Sequence, residues 1–100
     1  MERLPKSLRS AELLAVQAED HYLRVHTTLG EALILMRLSD ALAELADFDG
    51  AHTHRSWWIA RSAVVEVIRE GRRATLVLKS GCQAPVSRTR LKALRDLNWF

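Results

Sequence analysis

The sequence predicts a mainly β domain of short antiparallel strands in at least two packed layers. Hydrophobic residues alternate with period two along most of the chain, and turn-forming residues interrupt them about every ten positions. The third observation is the pair Trp57 and Trp58 in "HRSWWIAR". Successive strand residues point to opposite faces, so two adjacent indoles need cover on both sides of one strand. At 100 residues, 48% of them hydrophobic, the chain can bury one modest core and reads as one domain.

Each element follows in order. "ELLAVQA" at 12–18 is a first strand, and "HYLRVHT" at 21–27 sets Tyr22, Arg24 and His26 on one face with Leu23 and Val25 on the other. "TLGE" at 28–31 supplies a turn, and "EALILMR" at 31–37 returns as the hairpin partner. The period then changes. In "LSDALAELADFDG" Ser39 stands where a helix N-cap would, Asp40 falls in the first turn, Leu42 and Leu45 share a face, and Gly50 lies beyond the end. "WWIA", "AVVEVIRE", "ATLVLK" and "CQAPV" read as further strands, the last three separated by the turns "EGRR" at 70–73 and "SG" at 80–81. Pro85 suits an edge position in the last of them. "SRTRLKAL" closes the domain as a second short helix, with Ser87 at its N-cap and Leu91 and Leu94 on one side.

Several classes of function are excluded. No apolar run approaches the roughly 18 residues of a membrane span, and "MERLPKSLRS" lacks the apolar region of a signal peptide. A cytoplasmic location without membrane contact is the expectation. Cys82 is a single cysteine, so no internal disulfide can form, which fits a reducing compartment. No Ser/His/Asp or Cys/His arrangement is legible, so no enzyme and no cofactor are expected. His52 and His54, with His21, His26 and Asp20 or Asp49, raise a metal site. They lack a third ligand at a telling spacing, and no metal is expected.

Charge is distributed unevenly. Residues 1–50 carry five basic against nine acidic side chains, a net of −4, whereas residues 51–100 carry ten against three, a net of +7. Such asymmetry suits a basic face aimed at phosphate, and a solvated basic surface is the plainer alternative. The two indoles read first as core, because large aromatics dominate burial, with base stacking as their other use. Clamped indoles would hold the flanking His54 and Arg55 rigidly. Arg72 and Arg73 form a basic hairpin tip that either touches phosphate or is simply solvated.

Four blocks, "AEDHYLRVHT", "LILMRLSDALAEL", "HRSWWIAR" and "APVSRTRLKAL", follow one another in an order and at spacings that resemble a LytTR DNA-binding domain. The resemblance covers about residues 10–97, leaving 1–9 as an N-terminal extension before a DNA-binding domain at 10–100. It implies an elongated stack of small antiparallel sheets with one or two short helices. It also implies the output module of a bacterial transcription regulator, such as a response regulator, in which loop side chains enter successive major grooves without a recognition helix. The contacting positions it implies fall on His21 in "EDHY", with Tyr22 beside it, on Arg55 after the histidine of "HRS", and on Arg88 in "PVSR". The middle position is an uncharged amide in many members, so Arg55 puts the preferred base in doubt.

These positions agree with the chemistry of the residues. Arginine forks onto guanine O6 and N7, which suits Arg55 and Arg88 to base reading. Arg88 and Arg90 fall in the first turn of the last helix, where the helix dipole favours acids. Either a phosphate docked on the free N–H groups or a later helix start accounts for them. An imidazole gains charge on acidification, so a groove contact by His21 would strengthen as pH falls. The expected partner is double-stranded DNA in repeated half-sites, which a homodimer would occupy. The competing reading is a DNA-independent protein-interaction module with a basic face; steep salt dependence on bare DNA separates the two.

Overall fold

The computed structural model describes residues 11–99, so the expected extension at 1–9 lies outside the described residues. Strands β1 (Leu13–Glu19), β2 (Tyr22–Thr27) and β3 (Gly30–Leu35) are followed by helix α1 (Leu38–Glu44). Strands β4 (Gly50–His54) and β5 (Trp57–Ala60) come next, then a short 3-10 turn at Arg61–Ala63. Strands β6 (Val64–Glu70), β7 (Arg73–Leu78) and β8 (Gln83–Val86) lead into helix α2 (Arg88–Asp96). The strands form two antiparallel sheets, one of five strands in the order β3-β2-β1-β5-β4 and one of three in the order β6-β7-β8. Together they make a body of 40 × 24 × 24 Å. The mainly β expectation holds, and Pro85 does lie on an edge strand.

Register explains the two faces of the larger sheet. Val16 lies opposite Val25 and Trp58, and Leu23 lies opposite Ile34, so these side chains share one face and are buried with Ala41 and Leu45 of α1 and its C-terminus. On the other face Gln17 lies opposite Arg24 and Trp57. The adjacent indoles therefore enter opposite layers, each less than a tenth exposed. Trp58 meets Phe48 edge-on at 6.4 Å, and Trp57 stacks on His26. Along the face of β2 that carries Tyr22, Arg24 and His26, Tyr22 is exposed and Arg24 half-buried, while Trp57 covers His26.

Three local readings also need correction. Strand β4 is absent from the expected elements because "GAHTH" has no apolar alternation, and Gly50 begins that strand instead of ending a helix. A Cβ on Gly50 would lie 2.6 Å from the Ile59 carbonyl oxygen and 2.7 Å from Trp58 Cε2, so glycine is needed there to let the Trp58 ring lie over the backbone. His52 and His54 accordingly lie within that strand. Helix α1 starts two residues earlier than Ser39 suggests: Arg37 is the N-cap, and its carbonyl accepts from Asp40 and Ala41 at 3.1 Å each. Leu38, packed partly against the core, draws the first turn inward.

Helix α2 begins where expected. Ser87 is the N-cap in extended backbone, but its hydroxyl pairs with Thr89 Oγ1 at 3.2 Å and makes no capping bond. Leu94 anchors the helix in the core, and Asn98, at φ 64, turns the chain away after it. The two sheets are tied at one end by Lys79, whose ammonium reaches Glu12 at 3.1 Å while its N–H donates to the Ala63 carbonyl at 2.9 Å. The Lys79 hydrogen bond, helped by the Ser62 hydroxyl, holds the Glu12 carboxyl below its usual range.

Candidate nucleic-acid interface

The expected contact residues come from three separate connections, and the fold gathers these at one end. The first is the two-residue turn between β1 and β2, where Glu19 lies opposite Tyr22 and Asp20 holds φ 53, a conformation that Asp tolerates better than most residues. It exposes His21 and leaves Tyr22 45% exposed. The second is the turn between β4 and β5. Because Gln17 pairs with Trp57, the end of β1 and the start of β5 lie side by side, and the Ala18 N–H donates to the Ser56 carbonyl at 2.7 Å. Arg55 is exposed at the tip of that turn.

The third connection is the corner from β8 into α2. It belongs to the smaller sheet, yet the Ser87 N–H donates to the Thr53 carbonyl of β4 at 2.9 Å, two residues before Arg55. Arg88 follows Ser87 and is exposed. The hairpin tip between β6 and β7 lies level with this corner, because Ala74 at the start of β7 pairs with Val86 at the end of β8. Gly71, at φ 60, makes the reversal, and Arg72 and Arg73 are exposed beside it. His21, Arg55, Arg88 and the Arg72–Arg73 tip thus share one end of the molecule.

Not every expected contact is presented in the same way. His54 is half-buried, and its Nδ1 accepts the Ser56 N–H at 3.2 Å, so its ring staples the turn that carries Arg55. Arg90 is exposed, but its guanidinium lies 3.3 Å from His52 Nδ1, and since arginine only donates, His52 is the acceptor. His52, Thr53 and Ser87 were not among the expected site residues, because a bond between two sheets leaves no trace in local pattern. Arg37 was missed too. A groove beside His21 is lined by Asp20, His21, Leu35, Met36, Arg37 and Asp40, and the clue was an arginine at a strand-to-helix junction inside "LILMRLSDALAEL".

Electrostatics leave this end basic. Glu19 is turned back onto Arg24, with 3.0 Å between Glu19 Oε2 and the guanidinium, and Glu31 reaches the same guanidinium at 3.3 Å. Glu19, and to a smaller extent Glu31, hold Arg24 still more firmly in its charged form. By contrast Arg37, Arg55, Arg72, Arg73 and Arg88 have no ion-pair partner among the described residues. The first turn of α2 holds no acid. Among the described residues no three of His, Cys, Asp and Glu come together to hold a metal ion. No helix among them is long and apolar enough to cross a membrane.

Two antiparallel sheets thus present, on connecting loops at one end, arginines without ion-pair partners among the described residues, an arrangement suited to a polyanion. The chain belongs to the LytTr DNA-binding domain family, whose model matches residues 6–99. Its fold is also that of a solved LytTr DNA-binding domain of a putative methyl-accepting/DNA response regulator from Bacillus cereus. The two superpose with a TM-score of 0.78 at 18% identity, over 89% of this chain and 83% of that one. No curated protein sequence matches the chain.

Proposed function

We propose that this chain is the sequence-specific, double-stranded-DNA-binding output domain of a cytoplasmic bacterial transcription regulator, with residues 10–100 as the binding unit. His21, Arg55 and Arg88 reach into major grooves, Arg55 and Arg88 as base-reading forks. Arg72, Arg73 and Arg37 supply phosphate contacts that fix register without reading sequence. The Arg88 and Thr89 N–H groups at the start of α2 suit a phosphate. Tyr22, His54 and Arg90 act at the margins of these contacts. A homodimer on repeated half-sites would double the interface.

One observation carries the reading: the Ala18–Ser56 and Thr53–Ser87 bonds hold three exposed connections from two sheets in one row, with arginine on two of them. Membership of a DNA-binding family and the response-regulator context of the Bacillus cereus structure support it. Selection of bound sequences from a pool of random duplexes tests it. Recovery of a recurrent site, with its half-site spacing, is the expected result; recovery of unenriched sequence contradicts sequence-specific binding.

A further inference from the structure

Thr53 is the bulged residue of β4. His52 and His54 pair with Trp58 and Trp57, which are consecutive on β5, so Thr53 between them has no partner on that strand. Such a bulge re-aims the residue it carries. Here two polar groups of Thr53 cross to the other sheet: its carbonyl accepts from the Ser87 N–H at 2.9 Å, and its hydroxyl donates to the Pro85 carbonyl at 3.2 Å. The residue is completely buried, the most enclosed of the three buried polar residues among those described. Valine would fill the same space, so what threonine adds is one directed bond.

The location of that bond matters. Thr53 stands two residues before Arg55, and its partners Pro85 and Ser87 immediately precede Arg88. Strands β4 and β8 are outer strands of different sheets, so no ladder fixes their relative position. The surface contact between His52 and Arg90 is a single side-chain bond at 3.3 Å. Without the Thr53 hydroxyl, the backbone bond from Ser87 would remain as a hinge on which the corner carrying Arg88 could pivot.

We propose that Thr53 is a positioning residue for DNA recognition, its buried bonds to Pro85 and Ser87 setting the separation of Arg55 from Arg88 and so the spacing of base contacts the binding site must offer. This rests on the reading of Arg55 and Arg88 as base contacts. Binding constellations work when their members are held to within about 0.5 Å, and a buried, doubly bonded residue between two sheets supplies such restraint. Thr53 itself touches no DNA. Its loss therefore leaves the side chains proposed to hold phosphate away from that corner, Arg37, Arg72 and Arg73, and with them binding to arbitrary duplexes, in place.

The test uses the whole chain and the site obtained by selection, together with the same site carrying one base pair inserted between the Arg55-dependent and Arg88-dependent positions, and a random duplex. Thr53→Val is expected to fold, to bind the random duplex as wild type does, and to lose about 3- to 10-fold on the selected site, the worth of one hydrogen bond. It should also tolerate the inserted base pair better than wild type. Thr53→Ser, which keeps the hydroxyl, should restore both. A Thr53→Val protein with undiminished site preference and an unchanged insertion penalty overturns the proposal. Failure of both Thr53→Val and Thr53→Ala to fold overturns it as well, since Thr53 would then serve the fold. If the wild type itself prefers no site, the base-contact reading fails and the proposal with it; a wild type that discriminates beside an equally discriminating Thr53→Val removes Thr53 alone.

Discussion

His26 lies flat against Trp57, with ring centroids 5.7 Å apart and planes inclined by 17°. Its Nδ1 meets Glu31 Oε1 at 3.1 Å, while its Nε2 is buried without a partner among the described residues. A neutral ring with its proton on Nδ1 satisfies this geometry; a second proton would bury an N–H with no acceptor. Burial accordingly pushes the His26 pKa down, although Glu31 pulls the other way and Arg24 adds to the depression.

The sign of the pH effect follows. The unfolded chain binds a proton at His26 more readily than the folded one, so the stability is present above the unfolded value of about 6.5 and declines as pH falls below it. Denaturant melts of wild type from pH 7.5 to 5 should show this decline, and His26→Phe, which cannot titrate, should flatten it. An equal slope in both proteins would assign the pH dependence elsewhere.

The indoles give a stability prediction of a different kind. Trp57→Ala removes the cover from His26 and should cost about 3–5 kcal/mol, the range for a buried aromatic. Gly50→Ala should cost about 1–3 kcal/mol, because the new methyl meets the Trp58 ring and the Ile59 carbonyl. Thermal unfolding measures both; a Gly50→Ala protein as stable as wild type would show that the Trp58 ring can move aside.

Base reading and phosphate contact separate by mutation. Arg88→Ala should lose about 1–3 kcal/mol on the selected site and relax preference at one position. Arg72→Ala should instead weaken all duplexes alike and reduce the salt slope by about 1. Competition binding on matched and mismatched duplexes distinguishes them, and equal losses on every sequence for Arg88→Ala would make it a phosphate contact.

His21 is exposed in its turn beside an unpaired Asp20. A groove contact there should be lost with the ring: His21→Ala should bind the selected site more weakly while binding a random duplex as wild type does. Unchanged affinity for the selected site would place His21 outside the interface.

Strand after strand was legible because period-two burial and turn residues are local signals: β2, β3, β7 and β8 follow directly from them, and so does the division of Trp57 and Trp58 between layers. What was hidden depends on distant parts of the chain. Gly50 reads as a helix terminator until Trp58 lies over it, and "GAHTH" becomes a strand only because β5 pairs with it. Nothing local sets His26 apart from Tyr22 and Arg24 on its face of β2, yet Trp57 covers it. The candidate contacts His21, Arg55 and Arg88 came from the family resemblance and from side-chain chemistry. The bonds that set them in one row, from Ala18 to Ser56 and from Thr53 to Ser87, join segments far apart in sequence and belong to no motif.

The most direct test of DNA recognition from this end of the molecule is the affinity of the wild-type chain for the selected duplex and for a random duplex, measured across salt concentration. Phosphate contacts release counterions, so log affinity should fall linearly with log salt on both duplexes, at about −0.9 per phosphate engaged. Base reading adds a preference of about 10³-fold or more for the selected duplex. Affinity independent of salt, or equal on the two duplexes at every salt concentration, would contradict it.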